Sequence, residues 1–199
     1  MLKFARLRKI KFEGLENLKT IGGNFTVKAQ ALNNYRHSTA SSLNGLISFE
    51  GLDELKSIGG DLYVYSSSCR WDTGSSDPQV ILAASKLDVL ELPKLEEIGG
   101  ALSIHAQELK KLTLNSFVNL GGEVFIGSDN VETLNIGNLN KVSGNFKIIC
   151  RKVNMIEFTS LTSITGDLII SYCDLGLQNI NGLSKLANVG GNLDINNNP

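Results

Sequence analysis

Apolar positions along the chain fall into a short pattern that restarts after each of seven glycine corners. The corners end at Gly23, Gly60, Gly100, Gly122, Gly144, Gly166 and Gly191, with successive spacings of 37, 40, 22, 22, 22 and 25 residues. Counting from Gly122 as zero, apolar residues stand at 2, 4, 9, 12, 14, 17 and 20: Val124, Ile126, Val131, Leu134, Ile136, Leu139 and Val142. The same offsets give Leu102, Ile104, Leu109, Leu112, Leu114, Phe117 and Leu120 in the coil before. In the coil after they give Phe146, Ile148, Val153, Ile156, Phe158, Leu161 and Ile164.

Pairs two apart, at 2 and 4 and at 12 and 14, predict two short strands per coil, because strand side chains alternate between faces. Steps of three at 14, 17 and 20 predict a turn or a short helical segment. A longer form of that segment reads Phe12, Leu15, Leu18 and Ile21, then Phe49, Leu52, Leu55 and Ile58, then Val89, Leu92, Leu95 and Ile98, and finally Ile180, Leu183, Leu186 and Val189. Short helical turns are expected in these longer coils. Corner glycines supply either a positive backbone dihedral or a close approach between coils.

A period near 22 residues is the mark of a solenoid, in which each unit buries its apolar face only by stacking on its neighbours. The expected fold is mainly β, a right-handed parallel β-helix or leucine-rich-repeat-like solenoid of about seven coils of 22–25 residues. The whole chain, 1–199, reads as one such domain. It starts almost inside a coil and stops just after a strand, so a fragment of a longer protein is expected.

Segments such as Phe12 to Val27, F-E-G-L-E-N-L-K-T-I-G-G-N-F-T-V, and Gly182 to Ile195, G-L-S-K-L-A-N-V-G-G-N-L-D-I, resemble the receptor L domain repeat. That leucine-rich β-helical module occurs in insulin and epidermal growth factor receptor ectodomains, with related repeats in fungal cell-wall and bacterial surface proteins. The resemblance covers nearly the whole chain and implies an extracellular or cell-surface, non-catalytic module for recognition or adhesion, binding a protein or a glycan. The receptor members are dense in cysteine and this chain holds three, which favours a microbial surface protein. The pattern encodes coil geometry rather than a reaction.

Composition narrows the function further. The chain is 42% hydrophobic and 20% charged, with a formal net charge of -1. Such a balance argues against nucleic acid as the main partner, since phosphate contacts require a surplus of Lys and Arg. A basic cluster at Lys3, Arg6, Arg8, Lys9 and Lys11 reads as the solvated face of the first coil rather than a membrane patch. No apolar run approaches the length of a membrane span, so no membrane insertion is expected, and no signal peptide is apparent.

Cys69, Cys150 and Cys173 are too few for a disulfide framework. Cys150 and Cys173 fall near each other in adjacent coils, which leaves open a disulfide or two buried thiols, the latter being preferred. With His37 and His105 far apart, no metal site and no cofactor are expected.

Candidate binding residues fall in two places. The long intervals hold insertions at about 29–44 and 66–85, carrying Tyr35, Arg36, His37, Arg70, Trp71 and Asp72. Aromatic and Arg residues are enriched at binding hot spots, and solenoid insertions gather on binding faces. The second place is the outward face of the first strand, where Tyr63, Tyr65, His105 and Phe125 are expected to form an exposed aromatic patch suited to protein or sugar rings. If the insertions cover that patch, the two candidates merge.

Other readings are weaker. A structural spacer or cell-wall component without a defined ligand needs no such patch. A polysaccharide-active enzyme needs converging carboxylates. Glu123 and Asp167 stand two coils apart, about 10 Å by strand spacing, with Asn145 between them, and polar residues beside a corner usually serve turns. Asp72 and Asp77 are the other carboxylates weighed. No catalytic residue is assigned.

Overall fold

The computed structural model describes residues 11–28, 48–66 and 87–198. The chain is mainly β, and its parallel strands wind into a β-solenoid of about five turns. Seven corners bound only six intervals, and about half of each of the first two lies outside the described residues, so the expected seven coils are not shown.

Each corner opens a strand of one long parallel sheet. In order from one end these strands are Leu193–Asn196, Leu168–Ser171, Phe146–Cys150, Val124–Ser128, Leu102–Ala106, Leu62–Ser66 and Phe25–Lys28. Equivalent repeat positions pair directly, Val124 with Leu102 and Phe146 and Ile126 with Ile104 and Ile148. Because the register is kept, the apolar slots form continuous ladders. All 21 slots in the three coils following Gly100, Gly122 and Gly144 are filled by buried residues. At the first end, Phe12, Phe25 and Phe49 fill the interior with ring centroids 5.7 to 6.1 Å apart.

A second sheet stacks Val89–Glu91, Lys111–Thr113, Thr133–Asn135 and Met155–Glu157. These strands centre on offset 12, so offset 14 lies just past them rather than inside. A third face carries two-residue strands, including Glu97–Ile98, Asn119–Leu120 and Lys141–Val142. Each regular coil therefore has three strands, one more than the alternation indicates. A strand of two residues shows no alternation to read.

Three-residue steps arise from successive turns. Leu15 N–H donates to Phe12 O and Leu18 N–H to Leu15 O, and the same bonds join Leu52 to Phe49 and Leu55 to Leu52. In place of the helical turns expected in every longer coil, the described residues hold one three-residue 3-10 turn, Asn181–Leu183, and no α-helix. The coil ending at Gly100 is also not of the longer form. Val89 is exposed while Leu90 is buried and pairs with Leu112, which makes Leu90, Leu92, Leu95 and Ile98 the regular set.

Most of the corner glycines from Gly59 onward are required for close approach. None of the glycines at a corner has positive φ. A Cβ on Gly59, Gly99 or Gly121 would overlap the carbonyl of the first glycine in the preceding corner. Beside them runs a ladder of side-chain caps. Asn24 Oδ1 accepts the N–H of Asp61 at 2.9 Å, Asp61 Oδ1 that of Ala101 at 2.8 Å, Asn145 Oδ1 that of Asp167 at 2.9 Å, and Asp167 Oδ1 that of Asn192 at 2.6 Å.

Candidate functional site

Strand alternation puts offsets 3 and 5 of the long sheet outside the solenoid core, and pairing brings their side chains into rows. Tyr63 pairs with Ser103 and Tyr65 with His105, while Phe125 pairs with Ser103 and Lys147. Four aromatic rings meet there. Tyr63 and Tyr65 lie parallel with centroids 6.2 Å apart, and each is 5.7 Å from His105. His105 stacks on Phe125 at 4.2 Å with 18° between the planes. Lys147 Nζ stands 6.0 Å from the Phe125 centroid, at the outer limit for cation–π attraction.

Gly127 makes the His105–Phe125 stack feasible. It occupies the same outward column as His105, and a Cβ there would press on the Phe125 ring at 3.0 Å. The ring leans into that space toward His105. The signal in the sequence is a glycine two residues after a phenylalanine on one strand face, whose meaning depends on the histidine one coil away.

The four residues come together, but not as an open patch. Tyr63, Tyr65 and Phe125 are half-buried and His105 is only 6% exposed. Farther along the same column Ile149 and Ser171 are buried too. Exposure expected from alternation alone is thus corrected: this face is sheltered at offset 5. Burial drives the His105 pKa down to about 4, because a desolvated imidazole disfavours its charged form. The neutral ring shares a hydrogen bond of 3.1 Å with Ser103 Oγ, its direction set by the tautomer.

Tyr35, Arg36, His37, Arg70, Trp71 and Asp72 lie outside the described residues, as does nearly all of both insertions. Of the basic cluster, Lys11 is described and pairs with Glu50.

Cys150 and Cys173 are both buried and free. Each thiol reaches a backbone carbonyl at 3.6 Å, that of Ile126 for Cys150 and that of Ser171 for Cys173. Burial pushes both thiol pKa values up, the opposite of what a reactive thiolate needs.

Carboxylates beside the corners are engaged in the cap ladder. Between Glu123 and Asp167 stands Asn145, whose Nδ2 donates to Glu123 Oε2 at 3.4 Å and whose Oδ1 accepts the Asp167 N–H. Among the described residues no group of three or more His, Cys, Asp and Glu side chains is placed to hold a metal ion. No helix among them is long and apolar enough to cross a membrane. No protein-family model, no curated protein and no solved structure matches the chain.

Proposed function

We propose that this chain is a non-catalytic recognition or adhesion module of the receptor L domain kind, secreted or held at a cell surface, that binds a protein or glycan. The observation that carries this reading is the row of stacked rings formed by Tyr63, Tyr65, His105 and Phe125 on the outer face of the long sheet. Half-buried aromatic rings with polar tips and a neighbouring lysine suit sugar faces and protein hot spots alike. Ring stacking fixes their rotamers beforehand, so little side-chain entropy is lost on binding. In this reading the cap-ladder carboxylates are structural and no reaction is catalysed.

The test is binding of the purified chain to arrayed glycans and to immobilised cell-surface extract, repeated with Phe125→Ala and Tyr63→Ala. Loss of at least about tenfold in affinity, the effect of about 1.4 kcal/mol, with unchanged far-UV circular dichroism supports the reading. Binding that survives both substitutions, or no binding by the unaltered chain, defeats it.

Burial of His105, Ile149 and Ser171 favours a second reading, a structural spacer whose sheltered sheet face only consolidates the stack. Under it, Phe125→Ala lowers the melting temperature and alters no binding.

A further inference from the structure

We propose that the third face of the solenoid carries a slot for the hydroxyl edge of a neutral sugar, opened by an interruption between the strands Asn119–Leu120 and Lys141–Val142. Strands of this face pair from coil to coil on both sides of that point but not across it, so they form one sheet of four and another of three. Elsewhere one set of bonds repeats at every step. Gly59 N–H donates to Ile21 O, Gly99 N–H to Ile58 O, Gly121 N–H to Ile98 O, Thr165 N–H to Val142 O and Gly190 N–H to Ile164 O. Val118 and Asn119 N–H likewise share Glu96 O, and Thr162 N–H reaches Asn140 O. By this series Ser143 N–H belongs on Leu120 O, and the N–H groups of Asn140 and Lys141 on Val118 O. None of these five groups has a partner among the described residues.

Two features of the sequence set the lips of the slot apart. Ser143 is the first residue at the leading corner position to carry a side chain, after Gly22, Gly59, Gly99 and Gly121. A Cβ on Gly121 would stand 1.9 Å from Gly99 O, so a serine cannot meet the Gly121 carbonyl in the geometry by which Gly121 meets that of Gly99. Thr165 over Ser143 keeps its ladder bond, and the stand-off therefore falls where a side chain first meets a glycine corner. The second feature is Gly137, at φ +69°. In the neighbouring coils Phe117 N–H donates to Leu114 O and Leu161 N–H to Phe158 O. Here Asn138 N–H turns to Phe117 O at 2.8 Å instead. The long sheet stays paired between the same two coils, which confines the opening to one face.

The recess measures about 370 Å³, against about 30 Å³ for one water in the liquid, so it has room for a small molecule. Glu97, Asn119, Asn140, Lys141 and Ser143 line it. An anion there would meet Val118 O, Leu120 O and Glu97, and a cation would meet the N–H groups and Lys141. A hydroxyl donates and accepts at once, so it answers both lips without a charge. Width selects the same group. Cα atoms of the two strands lie within 8 Å of each other, whereas an inserted peptide strand needs two strand spacings, about 9.6 Å. One oxygen relaying between N–H and C=O adds only roughly 2–3 Å to a single spacing of about 4.8 Å. Val118 O and Leu120 O stand two residues of extended chain apart, roughly 6.6 Å, a length that a ring bearing several hydroxyls spans and a single alcohol does not. This slot is on a different face from the row of Tyr63, Tyr65, His105 and Phe125 and does not depend on it.

The test is an amide NMR titration of the full chain with the methyl glycosides of glucose, galactose, mannose and N-acetylglucosamine, with sodium acetate and ammonium chloride as charged controls. We expect at least one glycoside to shift the Lys141 and Ser143 amide signals saturably, at a Kd of about 1 mM or tighter, and the controls to leave them in place. Without ligand these two amides should exchange with deuterium at least about tenfold faster than those of Gly121 and Thr165, which donate within the ladder. Ser143→Gly restores the glycine corner, and with circular dichroism unchanged it should slow that exchange and abolish the shifts. The proposal is overturned if no glycoside shifts the two amides, if acetate or ammonium shifts them as strongly, or if the shifts gather instead on Tyr63, His105 and Phe125. Lys141 and Ser143 amides as protected as that of Gly121, or glycoside binding that survives Ser143→Gly, overturn it equally.

Discussion

Asp167 Oδ1 accepts the backbone N–H of Asn192 in the next coil at 2.6 Å. The same job is done by asparagine at Asn24 and Asn145, so the geometry of the oxygen matters and the charge does not. We expect Asp167→Asn to leave stability unchanged and Asp167→Ala to cost about 1 kcal/mol, the usual worth of one side-chain cap or hydrogen bond. Urea denaturation of the two variants measures this. A loss as large in the asparagine variant as in the alanine variant would show that the carboxylate charge is needed.

Glycine dependence should differ sharply between corners. A Cβ on Gly121 meets the Gly99 carbonyl, backbone that cannot rotate away, whereas one on Gly22 meets no described atom. Gly121→Ala is expected to destabilise by about 2–3 kcal/mol, typical of overpacking. Gly22→Ala, which overlaps no described atom, should cost less. Thermal melts of both variants at low concentration decide it, and equal losses would contradict the assignment.

How much of this was legible depends on whether a neighbouring coil repeats the demand. Slots such as Leu112, Leu134 and Ile156 stack directly on one another, so each coil states the same requirement and the ladders stand out in the sequence. The two-residue strands do not stand out, because Asn119–Leu120 is too short to alternate. Val89 misleads because both it and Leu90 are apolar, and only pairing with Leu112 shows which points inward. At the candidate site, alternation correctly gathers Tyr63, Tyr65, His105 and Phe125. Burial of His105 is a tertiary property that alternation does not encode. The insertions at about 29–44 and 66–85 interrupt the sequence repeat, so no repeated position supports a reading of them, and the candidates at Trp71 and its neighbours rest on residue type alone.

The buried thiols give a chemical test of the core. With Cys69 replaced by serine, Cys150 and Cys173 should resist a thiol-specific reagent in the native state and react together on unfolding, because burial raises both pKa values and excludes the reagent. Electrophoretic mobility should not change on adding reductant. Rapid native labelling of Cys150, or a reductant-sensitive crosslink to Cys173, would contradict the packing described.

His105 should make stability depend on pH in a defined window. Its ordinary value of 6.5 is lowered to about 4 in the fold by burial, so between those values the unfolded chain binds a proton that the folded chain does not. Stability therefore falls as pH drops from 6.5 toward 4 and changes no further from this group below that. The full shift is worth up to about 3 kcal/mol, and the partial exposure of the ring reduces it. His105→Phe keeps a ring against Phe125 while removing the titration. Urea midpoints at pH 7 and pH 4.5 should diverge for the unaltered chain and converge for the variant, after allowance for the carboxylates common to both. An equal pH dependence in the two proteins would mean that the imidazole is hydrated and that this face of the sheet is open.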